Sequence, residues 1–166
     1  MTDEKLKLAV DEIKEHRQDI IAKLVMFSKT DSLLFWGKDD ELAAKQEQLW
    51  TPILIWAGKA LHADYKTTDG LQTVEQSKTA LTGMQNFMEN MSDKELAAFY
   101  LASMNTKSEL LAAALVKGHI NAEQAFNAAC LEELYQAEKW GHDKFADSRR
   151  ETLKNELCDI EKFLQK

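Results

Sequence analysis

A chain of 166 residues suits one compact domain and buries enough core to fold without a metal or disulfide. With 45% hydrophobic and 30% charged residues it is not a disordered chain. A net charge of −7, from 28 acids against 21 bases, repels phosphate backbones and anionic lipid, so we expect neither nucleic-acid binding nor membrane insertion.

One proline and six glycines favour long helices over a many-stranded sheet. Cys130 and Cys158 lack a zinc or redox spacing and fall among helical apolar positions, as small buried hydrophobes do. The opening MTDEKLKLAVDEIKEH lacks the apolar core of a signal peptide, and no apolar run approaches the ~20 residues of a membrane span. The expected compartment is the bacterial cytoplasm, or the mitochondrial matrix if a transit segment has been removed.

The first predicted helix runs from about Asp3 to Phe27, with Leu6, Val10, Ile13, Ile20, Leu24 and Phe27 at alternating four- and three-residue steps. Arg17 fills the one polar gap, its stem suited to lie along the seam. The stretch TDSLLFWG (30–37) is too apolar for a free loop; we expect it to cross the core surface and insert Leu33 and Phe35. A second helix starts near Asp39, with Leu42, Leu49, Ile53, Trp56 and Leu61 inward and a kink at Pro52, which lacks a backbone donor.

Residues 62–73 read as a connection. Thr73 and Gln76 form a capping-box pattern for a third helix, with Val74, Leu81, Met84, Met88 and Met91 as its stripe. Ser92 and Glu95 repeat the pattern for a fourth. Thr106 and Glu109 either start another helix or lie inside a longer one; propensity leaves both open. Gly118 is a helix stop, and Asn121 caps a helix that reaches LEELYQAEKWG (131–141). Gly141 is a break or a weak point. His142 to Lys166 is helical, with Phe145, Leu153, Leu157, Ile160 and Leu164 apolar. The expected fold is one all-α domain of six or seven helices over residues 1–166.

Wound from Asn121 at about 100° per residue, Phe126, Cys130, Leu134, Ala137 and Gly141 share one face, and Leu131 and Tyr135 make a second apolar row. What remains is a narrow polar strip of Glu132, Gln136 and Lys139. Glu133 sits at the edge of the apolar face, where burial would demand a partner. The strip either faces water or meets a partner protein; charge alone does not choose between them.

Motifs for chemistry are missing. A di-iron bundle needs Glu-x-x-His, but Ile13, Lys59, Val116 and Lys139 stand three residues before the four histidines. No phosphate-binding glycine loop and no Gly-x-Ser-x-Gly occurs. Trp36, Trp50, Trp56 and Trp140 read as packing residues. We therefore expect no enzyme, no cofactor and no metal site.

Four stretches together resemble a family. Thr30-Asp31 with Leu33 and Phe35 precedes Gln46, Trp50, Pro52 and Trp56; TDGLQTVEQ (68–76) and LEELYQAEKWG follow. The series resembles the assembly chaperone of the F-type ATP synthase catalytic head that attends its α subunit. The likeness spans roughly residues 10 to 150. It implies an all-α, non-enzymatic protein that masks the subunit interface of an unassembled α subunit until the β subunit replaces it. It places the family's acidic position on Glu132, beside Gln136 and Lys139 as partner-binding residues, with Trp50, Pro52, Trp56 and Trp140 as scaffold. Family members carry a β-rich N-terminal domain, and this chain corresponds to the helical domain alone. Thr51 stands where the family tends to have Asp, and NTKSELLAA (105–113) replaces a small-residue turn. The readings from other classes are a helical adaptor with a different client and, further off, a metal-binding helical-bundle enzyme.

Overall fold

With few residues to interrupt it, the backbone is mostly helix. The computed structural model describes residues 2–166. Its helices are α1 (Thr2–Ser28), α2 (Asp40–Ala60), α3 (Lys78–Glu89), α4 (Asp93–Thr106), α5 (Glu109–Val116), α6 (Ala122–Ala129), α7 (Leu131–Trp140) and α8 (Lys144–Gln165). The class is as expected; the number is eight among the described residues, not six or seven. Two short strands were not expected: β1 (Phe35–Trp36) pairs in parallel with β2 (Thr68–Asp69), Phe35 opposite Thr68. They tie the polar connection to the core, with Gly70 N–H donating to the Trp36 carbonyl at 2.9 Å.

Helix α4 is the centre, packed on α1, α5 and α8. Its Leu96, Ala97, Ala98, Phe99 and Ala102 are buried, and the alanines let the neighbours come close. Helix α5 is buried from Glu109 to Leu115. The open question at residues 106–109 resolves as two helices. Lys107 adopts left-handed backbone (φ 60°), and the Ser108 hydroxyl accepts the Leu111 N–H to cap α5. The capping box at Ser92/Glu95 and the cap at Asn121 form as read, the latter completed to a box by Gln124, and Gly118 (φ 74°) follows the end of α5.

Several details of the reading are corrected. The kink falls in α1, where His16 leaves helical geometry (φ −129°, ψ 33°), and α2 runs on through Pro52. Pro52 is on the exposed face, where water can pair the carbonyl its missing N–H leaves free. Beyond the kink the buried stripe of α1 is rephased to Ile20, Ile21 and Leu24, and Phe27 is 43% exposed. On α2 the buried stripe is Leu42, Gln46, Trp50, Ile53 and Ala57, while Leu49 faces out. The buried Gln46 breaks the hydrophobic pattern because its Oε1 accepts the Gly37 N–H at 3.0 Å. In the 30–37 crossing Leu33 and Leu34 are buried, and Phe35 only half so. Helix α3 starts at its cap Ser77, not at Thr73; Gln76 instead clamps the Lys66 backbone through both its amide atoms.

Arg17 does lie in the seam, and its head has a second role. It donates to Asp93 at 2.9 Å and to the carbonyls of Met88, Glu89 and Met91. A cation thus closes the negative end of α3 where that chain turns into α4.

Helix α3 presses against residues 61–63 at Gly83. A Cβ there would lie 2.3 Å from the Leu61 carbonyl oxygen, a backbone atom that cannot swing aside. Gly83→Ala should lower stability by about 1–3 kcal/mol. Urea titration checks this, and an unchanged midpoint would mean that segment 61–63 shifts freely.

Candidate functional site

Helix α7 carries the polar strip, and its position follows from a break that one wheel over residues 121–140 cannot contain. In a continuous helix the Ala128 carbonyl would accept the Glu132 N–H. Here it accepts the Trp50 indole N–H at 2.9 Å. The backbone leaves helical geometry at Cys130 (φ −99°, ψ 13°), and α7 restarts at Leu131. Trp50 is buried and sits edge-on to Trp36 at 6.0 Å, so its indole ties the end of α6 to α2 as well as packing the core.

Glu132, Gln136 and Lys139 all lie after the break, so their shared face survives, and all three are exposed. Glu132 has no ion-pair partner among the described residues. Lys139 is not free. Its ammonium lies 3.5 Å from Glu41 and 3.9 Å from Asp39, over the Tyr135 ring at 5.0 Å. The Tyr135 hydroxyl donates to Asp39 and, at 3.3 Å, to Glu41. That hydroxyl, with Lys139 behind it, holds the Asp39 carboxyl below the usual carboxylate range. Helix α7 is thereby pinned to the start of α2.

The opposite edge of α7 is pinned to α8. Glu133, flagged as needing a partner, accepts from Arg149 at 2.6 Å and from Arg150 at 3.3 Å. Arg150 is buried and also donates to Asp147 at 2.5 Å. The His142 ring, first, and then Arg150 keep the Asp147 carboxyl low. Neither arginine was singled out from sequence. A partner sixteen residues away and past a turn leaves no local pattern.

Between the facing stripes of α7 and α8 lies a cleft of about 860 Å³. Gln136, Ala137 and Trp140 line one wall, Arg149 and Leu153 the other, and Lys107 reaches in from the α4–α5 turn. Trp140, expected as scaffold, is 76% exposed on this rim. The reason is Gly141, whose φ of 97° ends α7 just where its side chain would need a neighbouring helix. Trp56 is half-buried and stacks on His119 at 5.1 Å.

The arrangement offers contact surface and little chemistry. Burial, and then the Glu133 charge, push the Cys130 thiol up to about 11, which removes it as a thiolate nucleophile. Among the described residues no three His, Cys, Asp or Glu side chains converge as a metal site. None of the helices is long and apolar enough to cross a membrane. An unusual acid pair lies elsewhere. Asp31 and Glu109 are both buried near the α4–α5 turn, and the Glu109 Oε2 has no hydrogen-bond partner.

The chain is similar to known proteins in sequence and fold. The family model for the ATP12 chaperone protein matches residues 3–58. The chain is 26% identical over 153 residues to the mitochondrial protein atp12 of Schizosaccharomyces pombe, covering 87% of this chain and 53% of that protein. It therefore spans about half the length of that curated relative. The crystal structure of Atp12 from Paracoccus denitrificans superposes with a TM-score of 0.88 at 25% identity, over 95% of this chain and 68% of that one. The Atu1473 protein of Agrobacterium tumefaciens superposes at 0.84 with 28% identity, over 94% and 59%.

Proposed function

We propose, on the premise that this chain is a relative of the ATP12 chaperones in sequence and fold, that it is an assembly chaperone of the F-type ATP synthase. It holds the unassembled α subunit and masks its subunit interface until the β subunit takes over. It works without catalysis, in a bacterial cytoplasm or a mitochondrial matrix. An α subunit made before its neighbours exposes a large apolar interface that aggregates or pairs wrongly. A protein that covers this surface and then leaves needs a rigid face of moderate affinity, since release depends on how fast the complex comes apart.

The observation that carries this reading is the exposed edge of α7. Glu132 and Gln136 stand in solvent on a helix fixed from behind by Tyr135–Asp39 and from the side by Glu133–Arg149. The helix loses little freedom on docking, so its surface charge is available for recognition. Glu132 is the contact residue, Gln136 its neighbour, and Lys139 the brace that keeps the edge straight.

Glu132→Lys should weaken capture of purified α subunit by about tenfold or more. Circular dichroism and the melting temperature should stay near wild type, because Glu132 pairs with none of the described residues. Unchanged capture by a folded variant rules Glu132 out as a contact. A variant that unfolds makes it structural. The other reading is a helical adaptor with a different client. The same capture assay separates the two, since an adaptor ignores the α subunit altogether.

A further inference from the structure

The walls of the α7–α8 cleft are of two kinds. Glu133 joins α7 to Arg149 and Arg150 of α8 through ion pairs. Beside those pairs the lining is apolar, with Ala137 and Trp140 on α7 and Ala146 and Leu153 on α8. Trp140 is 76% exposed there. A large rigid ring left in water on a concave surface is a typical anchor for binding, because it buries much area at small entropic loss.

The charges that line the cleft are matched, save Lys107. Arg149 and Arg150 are answered by Glu133, and Arg150 also by Asp147. Glu156 pairs with Lys5 at 2.7 Å. Asp143 accepts the Ala146 N–H at the positive start of α8, where its charge is favoured. Lys107 lines the same cleft and is in no ion pair among the described residues. Its backbone is also costly. A φ of 60° after the last turn of α4 is a position that favours glycine. A cation at the negative end of α4 recovers part of that cost. The remainder is the kind of local strain that persists where a side chain has a use beyond the fold.

We infer that the α7–α8 cleft takes a segment of the client polypeptide that carries an apolar and an acidic side chain, the first seated against Trp140 and Leu153, the second paired with the Lys107 ammonium. The inference rests on the proposed chaperone reading, which supplies the client, the isolated α subunit. At about 860 Å³ the cleft has room for several side chains. Beside apolar walls the effective dielectric falls, so a carboxylate gains more from an ammonium there than on an open surface. With a net charge of −7, the chain as a whole disfavours an acidic segment, and the unmatched lysine favours it at this one cleft. That contrast serves register and specificity more than raw affinity.

The test is capture of purified α subunit by Lys107→Glu, Lys107→Gly and Trp140→Ser, with Lys23→Glu, at an exposed position of α1, as control for the change in net charge. The Lys107 carbonyl accepts the Ser32 N–H, a backbone bond that both substitutions keep. Glycine suits the φ of 60°, so the melting temperature of Lys107→Gly should equal or exceed wild type. We expect capture to fall on the order of tenfold or more for Lys107→Glu and Trp140→Ser, by less for Lys107→Gly, and not at all for Lys23→Glu. Wild-type capture should weaken with added salt, and Lys107→Gly should flatten that dependence. Full capture by a folded Lys107→Glu, or unchanged capture and salt dependence in Lys107→Gly, overturns the inference and leaves the chaperone reading standing. An equal loss in Lys23→Glu makes the effect one of net charge and overturns it too. No capture by the wild-type chain overturns both readings. A dimer of the chain alone that Lys107→Glu dissolves assigns the cleft to a second copy and likewise overturns the inference.

Discussion

Replacing Trp50 with alanine should cost about 3–5 kcal/mol, the range for truncating a buried ring. Against a typical total of roughly 5–15 kcal/mol this leaves a marginal fold and a melting temperature lower by roughly 6–20 °C. Three losses combine. The indole body is buried at the core, its edge contact with Trp36 disappears, and the Ala128 carbonyl loses its donor. Trp50→Phe helps separate them, because it keeps a buried aromatic ring while removing the N–H with its five-membered ring. It should cost about 1–3 kcal/mol, the range for orphaning a buried polar group. The phenylalanine variant has a second consequence. With the indole gone, the Ala128 carbonyl is free to take the Glu132 N–H and make α6 and α7 one helix. That would swing Glu132 and Trp140 away from their present edge. Capture of the α subunit should then fall further than the stability loss alone explains. Denaturant titration alongside capture checks both parts. Wild-type capture by Trp50→Phe would show that α7 keeps its direction without the indole.

The second large effect is with pH. Asp31 is fully buried and held by the Leu33 and Leu110 N–H groups, both at 2.9 Å, so its carboxyl rises only to about 6. Glu109 has burial against it and, next, the Asp31 charge, and it rises to about 8. The Tyr65 hydroxyl, bonded to Ser28, faces the pair and adds no positive charge. Both acids therefore bind protons more tightly folded than unfolded. Their stabilising contribution is complete below about pH 4 and is lost as pH rises through 6 and then 8. Stability should fall between about pH 5.5 and pH 8, and Glu109→Gln should flatten that fall by about 1–3 kcal/mol at the upper end. Urea midpoints for both proteins across the range give the answer. Parallel curves would mean that Glu109 is ionised or solvated in the fold.

Much of the site was legible where neighbours in sequence decide the outcome. The 132/136/139 spacing puts three polar side chains on one face of any helix, whichever way that helix points. Glu133 at an apolar edge had to find a cation. The caps at Ser92 and Asn121 follow from hydrogen bonds between residues three apart, so they formed as read. The arginines that answer Glu133, and the Tyr135–Asp39 bond 96 residues apart, were not legible, because nothing local selects a partner at that distance.

Sequence alone determined the helical class, most helix ends and the exposed polar edge of α7, since breaker scarcity, capping and periodicity act within a few residues. Tertiary structure decided what those elements do together. A distant indole captured one carbonyl and turned one helix into α6 and α7. The bend at His16 rephased α1, and the turn at Gly141 left Trp140 outside the core that its chemistry would otherwise join. Each depends on which surfaces meet across the fold, and period and propensity carry no information about that.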